Sequence, residues 1–134
     1  MNLEEFERVM EELEELREEA LSTPILVEGK RDVLALEKLG ISAKFFCACN
    51  GKPLYEVCEE ISSAHRRVIL LLDLDSAGIA IAKRVKHYLS QMGVQVVERH
   101  RLTLLRKLDT HQVEHLAKRV ERVKRELFRW NFTP

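Results

Sequence analysis

Arg67-Val68-Ile69-Leu70-Leu71-Leu72-Asp73-Leu74-Asp75-Ser76-Ala77-Gly78 is the stretch whose reading decides the fold. Residues 68–72 are apolar without a break, as in a short strand that sees no water on either face. The run ends in two aspartates spaced by two, and on an extended chain that spacing points both side chains the same way. Ser76 then opens a helix that continues to about Gln91 and stops at Gly93. A buried strand, an acidic turn and a helix in that order form one half of a parallel α/β unit.

The same grammar extends in both directions. Upstream, Pro24-Ile25-Leu26-Val27 is a short apolar strand ending at Glu28-Gly29, and Arg31 to Leu39 reads as a helix stopped by Gly40. Ala43 to Ala48 reads as a second strand, closed by the turn signal Asn50-Gly51. Leu54 to Ala64 is a helix, with Leu54, Val57, Cys58 and Ile61 at helical spacing. Downstream, Val94 to Val97 is a fourth strand. The expected fold is therefore α/β: about four mainly parallel strands sandwiched by helices, with further helices at both ends.

Those terminal helices differ in charge. Residues 2–20 place Leu3, Phe6, Met10, Leu13 and Leu16 three or four apart, an amphipathic stripe that Thr23-Pro24 ends. Val113, Leu116, Val120, Val123, Leu127 and Trp130 repeat in the same way and predict one long final helix from His111. Residues 1–20 carry nine Glu and two Arg, a net charge of −7, whereas residues 96–134 carry a net +5. Opposite charge beside apolar stripes predicts that the two helices pair, within one chain or across a dimer. A basic helix could instead hold phosphates. The chain divides into an acidic helix (1–22), a core (23–100) and a basic helical extension (101–134), all in one compact domain.

Composition bounds the function. A 134-residue chain with 46% hydrophobic residues can bury a core without disulfides. No apolar run reaches the roughly 20 residues of a membrane span, and the Glu-rich start lacks a secretory pattern. The expectation is a soluble, cytoplasmic protein. Cys47, Cys49 and Cys58 are expected to be reduced and buried, since Cys47-Ala48-Cys49 offers at most two zinc ligands. His111 and His115 could share a helix face, but no further ligands accompany them.

In open parallel sheets, ligands bind at the carboxyl ends of the strands. Glu28, Asp73 and Asp75 all fall there, and three gathered carboxylates titrate abnormally unless a cation joins them. Hard oxygen ligands suit Mg²⁺ or Mn²⁺. Gly29, Gly51 and Gly78 are expected in loops at the same edge, where a phosphate could approach the backbone. Lys30 and Arg31 add positive charge, and helix N-termini after Gly29 and Asp75 would point amides at an anion. The plainer roles are helix caps, Asp75 or Ser76 for one helix and Asp32 for the other.

Val27-Glu28-Gly29-Lys30-Arg31-Asp32, followed by Leu71-Leu72-Asp73-Leu74-Asp75-Ser76-Ala77-Gly78, resembles the Toprim signature of a strand-end Glu-Gly and a later Asp-x-Asp-x-x-Gly. Asn50-Gly51 matches that family's turn glycine, and the similarity covers about residues 24–97. The form is most similar to ribonuclease M5 and to stand-alone primase-like Toprim proteins. The resemblance implies a single Rossmann-like Toprim domain, with Asp73 and Asp75 as metal ligands and Glu28 as ligand or catalytic acid/base. It implies Mg²⁺ or Mn²⁺ as cofactor and RNA or DNA as substrate. Gly29, Lys30, Arg31, Gly51 and Gly78 become the expected phosphate contacts.

A Mg²⁺-dependent endonuclease is the leading expectation. A non-catalytic nucleic-acid-binding or partner-recruiting module is an alternative, as is primase-like nucleotidyl transfer with a partner. A homodimer or accessory protein could meet the terminal helices. Topoisomerase chemistry is disfavoured, because Tyr55 and Tyr88 fall within the helices expected to cover the sheet. Haloacid-dehalogenase and receiver folds place their acids in a different strand order.

Overall fold

The structure, a computed structural model, describes residues 1–129. In chain order its elements are α1 (Leu3–Ala20), β1 (Ile25–Val27), α2 (Lys30–Lys38), β2 (Phe45–Cys47), α3 (Leu54–Ala64), β3 (Arg67–Leu70), α4 (Ser76–Gln91), β4 (Gln95–Val97), α5 (Arg99–Lys107) and α6 (Leu116–Phe128). One turn of 3-10 helix, Val113–His115, leads into α6.

The four strands form one parallel sheet in the order β2-β1-β3-β4. Pairing of β1 with β3 sets Ile25 against Ile69 and Leu26 against Leu70. The chain moves one way from β1 to β2 and the other way from β3 to β4. Right-handed crossovers in opposite directions send their helices to opposite faces. Accordingly α2 lies on one face and α3 and α4 on the other.

Alternate strand residues serve two cores. Ile25, Val27, Ile69, Leu71 and Val97 face a layer built by α1, α2, α5 and α6. Leu26, Val68, Leu70 and Leu72 face α3 and α4. Burial on both sides is why β1 is apolar throughout and β3 is apolar after its exposed first residue, Arg67. Among the described residues no helix is long and apolar enough to cross a membrane.

Asn2 caps α1, accepting from the Glu5 amide at 2.8 Å. The helix buries Phe6, Val9, Leu13, Leu16 and Ala20. Leu3 is exposed, so the stripe runs through Val9 where Leu3 had been expected to contribute.

Four expectations need correction. Residues 99–107 form a helix that the periodicity of the chain's end had not revealed. The final helix begins at Leu116, not His111, and Trp130 lies outside the described residues. The charge on α1 is met chiefly by α5 and β3. Arg99 pairs with Glu15 and Glu19, Arg67 with Glu19, and buried His100 lies between Glu12 and Glu19. Contact between α1 and α6 is apolar instead, including an edge-on Phe6–Phe128 pair with centroids 6.2 Å apart. Of the thiols only Cys58 is buried, and its pKa is pushed up to about 11 by burial; Cys49 is exposed. Tyr55 is likewise exposed and meets edge-on Tyr88, which is partly buried against the α3–α4 core.

If α1 is integral to this core, Leu13→Ala should cost about 2–5 kcal/mol, the range for a buried leucine that leaves a cavity. Urea unfolding of the two proteins measures it. A change below about 0.5 kcal/mol, the usual bound for surface sites, would make α1 an appendage.

Candidate metal centre

The reversal in strand order lies between β1 and β3, and such a switch point opens a crevice at the carboxyl edge of the sheet. Glu28 follows β1 at this crevice, its carbonyl accepting from the Cys49 amide at 2.9 Å. Asp73 and Asp75 follow β3. One carboxylate oxygen from each of Glu28, Asp73 and Asp75 lies within 4.8 Å of the others.

Each acid is held by a different device. Asp75 is the N-cap of α4, its Oδ1 accepting from the Gly78 amide at 2.8 Å. Asp73 is 8% exposed, and its Oδ1 accepts from the Val113 amide at 2.8 Å. Glu28 Oε1 is buried and has no hydrogen-bond partner, alone in this among buried side-chain polar atoms of the described residues. A capping role for Asp75 and a ligand role are compatible, because a carboxylate offers two oxygens. Asp32, 7% exposed, caps α2 by accepting from the Gly29 amide at 3.0 Å.

Crowding shows in the titration of these groups. Burial, then the charges of Asp73, Asp75 and Asp32, raise the Glu28 pKa to about 7. Burial foremost also raises Asp73, against the pull of the Val113 N–H, and burial raises Asp32. An orphaned buried oxygen beside two carboxylates, with only oxygen donors, fits a hard divalent cation.

Gly78 lies inside the first turn of α4 rather than in a loop. A Cβ there would stand 2.2 Å from the Asp73 carbonyl oxygen and 2.9 Å from Glu28 Oε1. The room that this glycine leaves is taken by the protein itself, not by a phosphate. Gly29 is the N-cap of α2, with Lys30 and Arg31 exposed in the first turn. Gly51, at φ +87°, forms the exposed turn after β2. The structure thus gathers Glu28, Asp73, Asp75 and Gly78, sets Gly29, Lys30 and Arg31 at the rim, and leaves Gly51 in an open turn.

Arg101 was not anticipated. It is 4% exposed, and its guanidinium donates to the Leu72 carbonyl at 2.6 Å and the Asp73 carbonyl at 2.8 Å. Glu98 Oε1 takes a further N–H at 3.1 Å. Two carbonyls at the end of β3 are therefore clamped from α5. The signal was present: Arg101, Leu104, Leu105 and Leu108 share helical spacing, and a cation on an apolar stripe needs a buried partner.

Comparison with known proteins bears on the family and the fold. The Toprim-like family matches residues 25–121. A UPF0292 protein of Methanocaldococcus jannaschii is 40% identical over 92 residues, covering 68% of this chain and 71% of that one. A UPF0292 protein of Thermococcus gammatolerans is 36% identical over 118 residues, covering 87% and 86% respectively. A solved structure of an Aquifex aeolicus protein superposes with a TM-score of 0.70 and 34% identity, over 79% of this chain and 95% of that chain.

Two outcomes test the cluster. The folded-state pKa of Glu28 lies above its ordinary 4.5, so protonation favours the fold. Its contribution is complete below pH 4.5 and lost as the pH rises through about 7. Metal-free protein should therefore lose stability between those values, and Glu28→Gln should flatten this loss in urea melts at stepped pH. An unchanged profile would contradict the burial of Glu28. Separately, Gly78→Ala should lower Mn²⁺ affinity at least about tenfold, as support-residue losses do, by calorimetric titration; wild-type affinity would contradict the close packing at the cluster.

Proposed function

The chain belongs to the Toprim-like family, and on that premise we propose that it is a Mg²⁺- or Mn²⁺-dependent phosphodiester enzyme, an endonuclease on RNA or DNA similar to ribonuclease M5. A Toprim domain binds divalent metal and associates with nucleic acid. The observation that carries the finer reading is the convergence of Glu28, Asp73 and Asp75 oxygens within 4.8 Å.

In this reading Asp73 and Asp75 hold the cation, each with one oxygen already oriented by a backbone amide. When bound, the cation supplies Lewis-acid polarisation of the phosphodiester and offsets charge on the leaving oxygen. Glu28 completes the ligand set or carries a proton to or from the reacting oxygens. A carboxyl with its pKa raised to about 7 is suited to either direction of transfer near neutrality. Lys30 and Arg31 meet the flanking phosphates, with the first-turn amides of α2 behind them. Gly29 and Gly51 keep side chains away from that approach. Arg101 positions the Asp73 backbone without reaching the reacting atoms.

A cleavage screen over structured RNA, single-stranded DNA and duplex DNA, with Mg²⁺ or Mn²⁺, tests the proposal. Cleavage is expected with at least one substrate and is lost on chelation. Asp73→Asn should slow it by more than about 100-fold, beyond the loss caused by outer-shell partners. Intact substrates throughout, with binding retained, would favour a non-catalytic module instead.

A further inference from the structure

The positive charge of this electrically neutral chain is not spread evenly over its surface. A groove of about 780 Å³ lies between α1, the end of α2 and α6. A narrower cleft of about 190 Å³ adjoins it, and the two share Lys38, Ala117 and Lys118 as lining. The cleft follows α2, from Lys38 back to Arg31 in the first turn. At 1.5 Å per residue, the span from Lys38 to Arg31 gives this path a length of about 10 Å.

Arg31 stands two residues beyond Gly29, at the rim of the carboxylate cluster. Glu114 lines the same end of the cleft, and its charge is felt at both Asp32 and Asp73. The path therefore begins beside the acids and runs away from them between α2 and α6.

Its lining is strongly basic. The groove and cleft together carry seven Lys or Arg against Glu114 and Glu121, a net +5. Arg17 and Arg122 are paired with Glu14 and Glu126. Arg31, Lys38, Lys118, Lys124 and Arg125 form no ion pair among the described residues. Five unneutralised cations along one trough maintain a positive potential that a polyanion relieves.

We propose that this trough is the track on which the phosphodiester backbone of a nucleic-acid strand lies as it enters the carboxylate cluster. This inference rests on the function proposed above and gives it a direction of approach. The groove floor is apolar, with Met10, Leu13, Leu39 and Val120, and the cations stand around it. Such a lining grips phosphates without reading bases, so affinity should depend on salt more than on sequence. The acidic helix of a second copy is the other polyanion at hand. Its Glu12, Glu15 and Glu19 are already engaged by His100, Arg99 and Arg67 of their own chain.

The test is fluorescence anisotropy of a labelled stem-loop RNA, and of DNA of the same sequence, with full-length protein in EDTA. The triple variant Lys38→Ala/Lys118→Ala/Arg125→Ala should bind at least about tenfold more weakly, and the slope of log affinity against log salt should fall by about 1 per cation removed. A control that removes the unpaired Lys83 and Lys107 should bind like wild type. Lys118→Arg, which keeps the charge, should also bind like wild type. Asp73→Asn should lose cleavage yet keep binding, so a failed cluster and a failed track give different results. Equal weakening by the control, unchanged affinity in the triple variant, a change confined to oligomeric state, or no binding by wild type would each overturn the track.

Discussion

The parallel pairing of β1 with β3 brings together residues forty-five positions apart in the chain, Glu28 and Asp73, at one edge of the sheet. Neither acid has a reason to be buried by itself. The register brings them together, because β1 and β3 end side by side, and Glu28 directly after β1 and Asp73 three residues after β3 reach the same crevice. Close carboxylates with little solvent repel one another and resist ionisation. Several parts of the structure read as responses to that strain. The Val113 amide and the cap at Gly78 each satisfy one oxygen. Gly78 itself leaves the space in which the Asp73 carbonyl and Glu28 meet α4. The oxygen that stays unsatisfied, Glu28 Oε1, has the chemistry to take a cation.

Elements outside the sheet hold this edge in place. Adjacent residues of α5 do two jobs: His100 locks onto Glu12 and Glu19 of α1, and Arg101 reaches the Leu72 and Asp73 carbonyls. The acidic helix is thereby linked through one turn of α5 to the strand that ends in the aspartates. The 3-10 turn before α6 supplies the Val113 amide, so the C-terminal segment also touches the cluster. The chain's ends are part of the scaffold for the site as well as a cover for one face of the sheet.

Much of this could be read from residue order. Apolar runs marked the strands, the helical spacing of Leu54, Val57, Cys58 and Ile61 marked α3, and Gly93 marked the end of α4. The Glu-Gly and Asp-x-Asp pair marked the edge where the acids meet. What escaped were features whose partners lie far away in sequence. In α5, His100 and Arg101 occupy the buried face, so its apolar stripe is broken by charge and no separate helix stood out within the basic extension. The partners of α1 were misassigned because net charge says nothing of which cation is near; Arg99 and Arg67 pair with its acids, while the cations of α6 line a groove with its Met10, Leu13 and Arg17. Gly78 looked like a loop residue since a glycine in a helix interior is normally unfavourable, and only the approach of Asp73 explains it.

Glu28, Asp73 and Asp75 are proposed to hold a divalent cation jointly. The most direct measurement is anomalous diffraction from crystals of the protein soaked in Mn²⁺. A strong anomalous peak is expected within coordination distance of an oxygen from all three side chains, absent in Asp73→Asn. A peak elsewhere on the protein, with the three carboxylates bare, would contradict it.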